Sequence, residues 1–278
     1  MIRRLKFSSE KFLPHLVLFP AVLLVLMPLV LIIMNSLKSE RGIFSNPFQL
    51  PIGSYFDPRG YVLVFNQANF GLYFANSLFV TLGSMFFILF FGSMAAHALA
   101  EYRFRGNALI ALYLAMGIMI SIRLGSVGIV RLIAAMGLMN TRWALLLVYV
   151  ASGLPLTIFI MTQFMRQVPH ELKDAARVDG ANEYQVYWLI LPLVKPAIAT
   201  VAVFSIIPIW NDLWFPIILT RAEPLRTVTF GIQQFFGEFV RDWQAILAAL
   251  TLAMVPILII YVIFSRWLLR GLTAGAFK

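Results

Sequence analysis

Six apolar runs divide the sequence, near 16–34, 72–99, 108–122 with an irregular continuation, 143–165, 197–219 and 245–264, and polar stretches separate them. At about 1.5 Å of rise per residue, roughly 20 apolar residues cross a hydrocarbon layer of about 30 Å. The pattern therefore predicts six membrane-spanning helices and an all-α integral membrane protein. The second run is longer than one crossing needs, so it should tilt or protrude. The first follows Arg3, Arg4 and Lys6, as the core of a signal peptide would, but it is too long and lacks a small-residue cleavage pattern. It reads as a retained helix.

The interruptions carry as much information as the runs. Residues 35–69 contain Pro47, Pro51 and Pro58 and read as an ordered external loop rather than a helix. The third run loses its clean apolar character at "RLGSVGIVR", where Arg123, Gly125, Ser126 and Gly128 make a poor lipid-facing helix. Irregular backbone and an arginine at membrane depth are tolerated when buried in protein or lining a wet cavity. The other reading is that the helix ends here and Arg123 reaches the outer headgroups. Pro208, Pro216 and Pro256 in the last two runs imply kinks.

One polar segment, 169–196, stands out in the middle of the chain. Pro169 suits the start of a helix, Glu171 lies near the positive end of its dipole, and Lys173 and Arg177 lie nearer the negative end. Leu172, Ala175 and Ala176 form a smooth apolar stripe, with Lys173, Asp174 and Arg177 pointing elsewhere. Asp179 and Gly180 close the helix, because glycine takes the left-handed conformation of a C-terminal stop. Tyr184, Tyr187, Trp188 and Leu191 then repeat at helical spacing, as aromatics do where a helix nears the headgroups, until Pro192 and Pro196 break the pattern. The expected order is short amphipathic helix, turn, interfacial helix, membrane.

Composition agrees with the pattern. The mean hydropathy is +0.86 and only 12% of the 278 residues are charged, half the share of a soluble domain. A net charge of +10 raises nucleic acid as a partner, but the basic residues lie scattered at the ends of the runs rather than on one stripe. Segments 1–11, 101–107, 166–195 and the tail hold 13 of the 22 Lys and Arg, so the positive-inside rule puts these, and both termini, in the cytoplasm. Arg123, Arg131 and Arg142 on the outer side oppose that orientation. The absence of cysteine excludes a disulfide framework and a thiolate metal site. No G-x-x-x-x-G-K-[ST] loop occurs, and the His170-Glu171 start of a zinc H-E-x-x-H helix has Asp174 in the second histidine's place. His15 and His97 stand alone. An ion-driven secondary transporter would show internal repeats and intramembrane carboxylates, of which only Asp212 is present.

"ELKDAARVDGA" resembles the EAA signature of permease subunits of bacterial ABC importers, in its carbohydrate-branch form, with Asp174, Ala175, Ala176, Asp179, Gly180 and Ala181 in the motif positions. "AEYRFRG" at 100–106, "WNDLWFP" at 210–216 and "RGLTAGAFK" at 270–278 are similar to other parts of the same family, that of the maltose transporter. The resemblance implies a type I importer permease fold in a single domain over 1–278, in the bacterial inner membrane. It implies a coupling helix over 170–180 that docks on a cytoplasmic ATPase, with Glu171, Asp174, Ala175, Ala176, Asp179, Gly180 and Ala181 as the coupling residues. The implied partners are a second, different permease subunit, two ATPase subunits that bind ATP and magnesium, and an external sugar-binding protein. Residues 220–244 would reach toward that binding protein and the tail toward the ATPases, and the chain would be the smaller permease of its pair, non-catalytic itself. Asp174 stands where glutamate is usual, the usual proline near the outer end of span three is missing, and the interval from Ala181 to Pro192 is one residue short, about 100° of rotation if helical. For the sugar pathway the expected residues are Trp210, Asn211, Asp212 and Trp214, with Arg123 beside them: buried polar groups in a span must face protein or water, and tryptophan offers a flat face to sugar rings. Pairing of Asp212 with an arginine such as Arg123, with the tryptophans as interface anchors, is the alternative.

Overall fold

The computed structural model describes residues 9–67, 69–238 and 242–274. In chain order its helices are α1 (Ser9–Asn35), α2 (Glu40–Ser45), α3 (Arg59–Gln67), α4 (Phe70–Glu101), α5 (Asn107–Met119), α6 (Ser126–Ala135), α7 (Arg142–Arg166), α8 (His170–Val178), α9 (Glu183–Ile190), α10 (Lys195–Asn211), α11 (Trp214–Leu219), α12 (Val228–Glu238) and α13 (Trp243–Ala274). Among the described residues there is no strand. Among the described residues, four helices are long and apolar enough to cross a membrane: His15–Asn35, Phe70–Glu101, Arg142–Met165 and Trp243–Ser265. Two bent pairs, α5 with 122–135 and α9 with α10, raise the number to six if each pair is one span. The last residues of the "RGLTAGAFK" tail, 275–278, lie outside the described residues, as do 1–8 and 239–241.

The chain divides into two units. The first comprises the residues up to 69 with 232–254. Its α1 leaves apolar side chains such as Leu18, Phe19 and Leu24 exposed. The stretch expected to be an ordered loop rather than a helix instead holds α2 and α3. Ser39 caps α2 by accepting the Gly42 N–H, and Asp57 accepts the Arg59 N–H at the start of α3, so local polar groups start helices that a proline count alone would forbid. Lys38 ties the segment together. Its buried ammonium donates to Asn35 Oδ1, the Asn46 carbonyl and the Pro47 carbonyl at 2.9–3.0 Å, while its own carbonyl accepts from Gln244 Nε2.

The second unit, residues 70–231 with those from 255 onward, is built on α4 and α7, which pack along each other with α10 against both and α5 against α7. Small residues make the close approach possible. A Cβ on Gly92 would lie 2.4 Å from Thr157 Cγ2, and one on Gly153 would lie 2.5 Å from Ile88 Cδ1. In a bilayer, where lipid is as apolar as leucine, such small-residue contacts are a principal source of helix association. Val80, Ile88, Leu145, Val148, Met161 and Met165 fill the seam around them.

Two apolar runs are broken where the sequence reading drew one span. The 108–122 run ends as α5 at Met119, turns through a short 3-10 helix at Ile122–Gly125 and resumes as α6 at 87° to α5, in line with the irregular continuation expected there. The 197–219 run, expected to be one kinked span, splits into α10 and α11 at Asp212. Pro216 has no N–H to return to the Asp212 carbonyl, and the Asp212 carboxylate instead accepts the Phe215 N–H at 3.1 Å.

Candidate functional site

The polar segment between α7 and α10 is a compact helix–turn–helix. Pro169, with φ −54° and ψ 136°, sets the chain direction into α8. Gly180 sits at φ +87°, the left-handed region, and lets the Ala181 N–H reach the Ala176 carbonyl and its own N–H reach the Arg177 carbonyl, the paired closure that ends many helices. Asn182 and Gln185 then form a reciprocal capping box that starts α9. α9 and α10 meet at 76° through a turn over 191–194, so the short interval before Pro192 ends in a sharp bend.

Leu172 and Ala175 of the expected smooth stripe are exposed, and Ala176 is partly so. Lys173, expected to point away from that stripe, is 1% exposed, and its Nζ lies 2.7 Å from Glu101 Oε2 at the end of α4. Arg177 Nη2 donates to the other Glu101 oxygen at 2.7 Å, Nη1 to Asp174 at 3.0 Å and Nε to Glu183 at 3.0 Å. Tyr102 OH donates to Glu183 Oε2 at 2.7 Å. Glu101 is the reason that Lys173 is buried: a 5% exposed carboxylate at the end of a span attracts the two cations that α8 carries four residues apart. Hydrogen bonds to Glu183 and Glu101 hold the Arg177 guanidinium above its ordinary range, and burial followed by Glu183 pushes the Tyr102 phenol up to about 12.

The outward face of α8 carries Glu171, Leu172, Asp174, Ala175 and Asp179, with Val178 87% exposed. Ala176 and Ala181 pack partly against the core. Of the motif positions, Asp174, Ala175, Asp179 and Gly180 are thus exposed together with Glu171, while Ala176 and Ala181 are only partly so. Sequence reasoning did not single out Glu101, Tyr102 or Glu183. Glu101 and Tyr102 were within reach, because "AEYRFRG" had been marked for its resemblance and offers an acidic residue beside a segment rich in cations.

At the opposite end of α7 the expected pathway residues fall into two groups. Arg123, Asp212 and Trp214 come together. Asp212 is buried, and its carboxylate accepts from Tyr149 OH at 2.8 Å, the Phe215 N–H at 3.1 Å and the Trp214 N–H at 3.4 Å, with Arg123 Nη2 also at 3.4 Å. Trp214 Nε1 donates to Ser126 Oγ at 2.8 Å, and that hydroxyl donates to the Arg123 carbonyl at 2.6 Å. The Arg123 guanidinium is 64% exposed, and Asn211 and Trp214 are exposed as well. Trp210 instead turns into the packing, edge-on to Phe74 with ring centres 5.6 Å apart. Among the described residues no cluster of His, Asp and Glu is arranged to hold a metal ion. Tyr149 and Ser126 were missed, since nothing in their spacing ties them to Asp212 and Trp214.

Several helices long and apolar enough to cross a membrane, with the short exposed α8 between two of them, define a multi-pass helical membrane protein. Residues 88–274 match the binding-protein-dependent transport system inner membrane component family, and the chain belongs to that family of ABC transporter permeases. It is 32% identical over 267 residues to the diacetylchitobiose uptake system permease protein of Streptomyces coelicolor, covering 95% of this chain and 88% of that one. It is 31% identical over 259 residues to a probable starch degradation products transport system permease protein of Thermoanaerobacterium thermosulfurigenes, covering 92% and 93%. Its fold superposes with a TM-score of 0.81 and 22% identity on a chain from the crystal structure of a bacterial ABC transporter involved in the import of the acidic polysaccharide alginate, covering 96% of this chain and 99% of that chain.

Proposed function

We propose that this chain is one transmembrane permease subunit of an ATP-driven importer of sugars or oligosaccharides. It forms half of the translocation pathway with a second, different permease subunit. An external sugar-binding protein delivers the substrate, and two separate ATP-binding cassette subunits, which bind ATP and magnesium, supply the drive. The single domain 1–278 lies in the bacterial inner membrane with six spans, each bent pair counting as one, and with both termini cytoplasmic. The chain is non-catalytic.

The observation that carries this reading is the exposed face of α8: its lysine is held inward against Glu101 while Leu172, Ala175 and Val178 are exposed. A helix that ties its cations inward and leaves a small, partly apolar face uncovered is built to meet another protein. Glu171, Asp174, Ala175, Ala176, Asp179, Gly180 and Ala181 are the coupling surface, and family membership together with the sugar-uptake relatives supports the assignment of the partner as an ATPase and the cargo as carbohydrate. Asn211, Asp212, Trp214 and Arg123 are assigned to the pathway, with Asp212 as the buried anchor and Trp210 as packing behind it.

The test is Ala175→Leu. The side chain is exposed, so the substitution leaves the subunit inserted while filling the space a docked partner needs. Uptake should fall with normal subunit levels in the membrane, while substrate binding by the external protein is unchanged. Normal uptake by this variant would remove α8 as the coupling element.

A further inference from the structure

Three side chains on one stripe of α4, Ser93, His97 and Glu101, lie four residues apart and all meet the segment that follows α7. Ser93 Oγ shares a 2.8 Å hydrogen bond with Tyr187 OH of α9. His97 packs edge-on to Tyr187 and Tyr102, with ring centres 5.5 and 6.2 Å apart. Glu101 takes Lys173 on one oxygen and Arg177 on the other, both at 2.7 Å. We propose that this stripe, with Glu101 as its positioning residue, is the receiver that makes α8 and the end of α4 move as one body, so that the span driven by the motor is α4 rather than α10.

The proposal rests on the reading of α8 as a coupling helix and adds where its motion goes. Besides the three-residue link 167–169 back to α7, which itself packs along α4, two routes leave α8. The covalent route runs through α9 and a turn at 191–194 into α10 at 76°, and a bend of that kind absorbs displacement by rotating about its turn. The non-covalent route runs through Glu101. Its carboxylate is 5% exposed and Lys173 is 1% exposed, so pulling them apart would leave buried charges uncompensated, a far steeper penalty than rotating a turn. α4 is also the element whose motion spreads furthest. It packs along α7 through the Gly92–Thr157 and Gly153–Ile88 contacts, which are too close to slip independently.

The experiment uses the complete transporter in proteoliposomes with its binding protein. Glu101→Gln keeps the side-chain shape but leaves one oxygen for two cations. Transport per ATP hydrolysed should drop about tenfold, within the usual range of coupling energies, while assembly and ATP hydrolysis persist. Glu101→Asp should recover part of the loss. The chain has no cysteine, so Glu101→Cys with Lys173→Cys can be joined by a short dithiol-reactive linker with no competing thiol in this subunit. Joining should restore coupling, since the proposal requires no relative movement of these positions. Unchanged coupling in Glu101→Gln, or a linked transporter that stays uncoupled or stops, would overturn it. If Glu101→Gln fails to assemble, the linked pair decides alone. Ala175→Leu separates the two ideas: Ala175→Leu uncoupled with Glu101→Gln coupled rejects only the receiver, whereas both variants coupled rejects the coupling helix itself.

Discussion

At the scale of single residues, Asp212 and Asn211 are neighbours with opposite expectations. Asp212 is buried with Tyr149 OH, two backbone N–H groups and Arg123 around its carboxylate. Asp212→Ala strands those donors, and each unpaired buried group costs about 1–3 kcal/mol, so the solubilised protein should melt several degrees lower. Asn211 is exposed at the same break. Asn211→Ala should leave the melting temperature within error and reveal its effect in translocation rate alone. A thermal melt beside an uptake assay, on both variants, separates anchor from pathway. The sequence showed that Asp212 is costly inside a span, and it offered Arg123 as one partner. It did not show Tyr149, because a hydrogen bond across 63 residues leaves no local pattern. The burial of Lys173 is hidden from the sequence for a related reason: amphipathicity separates faces by polarity, and the carboxylate that buries this lysine comes from another helix.

At the scale of elements, the α4–α7 seam is where sequence and packing meet. Gly92 faces Thr157 Cγ2 so closely that Gly92→Ala cannot be accommodated without movement, and overpacking of this kind costs about 1–3 kcal/mol. Thr157→Ser removes that methyl and keeps the hydroxyl that donates to the Gly153 carbonyl, so Gly92→Ala with Thr157→Ser should regain most of the lost stability. A melting-temperature cycle over the four proteins measures it, and additive losses would show that the contact is not the cause. The long helices were legible because 20 apolar residues have few alternatives in a bilayer. The short ones were not. α2 and α3 sit in a stretch whose prolines signal a loop, and they form because Ser39 and Asp57 cap them and Lys38 binds three oxygens from residues 35–47. The split of the fifth run at Asp212 was signalled by Pro216, which reads equally well as a mere kink until the carboxylate is seen to replace the missing backbone bond.

At the scale of the molecule, topology is the property on which the functional reading depends. α7, the helix of crossing length between α6 and α8, places α8 on the opposite side of the bilayer from the Arg123 turn if α5 ends at the far surface and α6 lies along it. The charge balance favours α8 inside, although Arg123, Arg131 and Arg142 pull the other way. The absence of cysteine makes the question direct. Val178, 87% exposed on α8, and Leu124, 84% exposed in the 3-10 turn, are each changed to cysteine and treated with a membrane-impermeant maleimide. Leu124→Cys should react in intact cells. Val178→Cys should react only after the membrane is opened, and more slowly when the ATPase subunit is present, because the same side chain lies on the proposed docking face. Reaction of Val178→Cys in intact cells would put α8 outside, beyond the reach of any cytoplasmic motor. Equal reaction with and without the ATPase would keep the topology but remove Val178 from the contact, leaving Ala175 and Asp179 to define a narrower surface on the same helix.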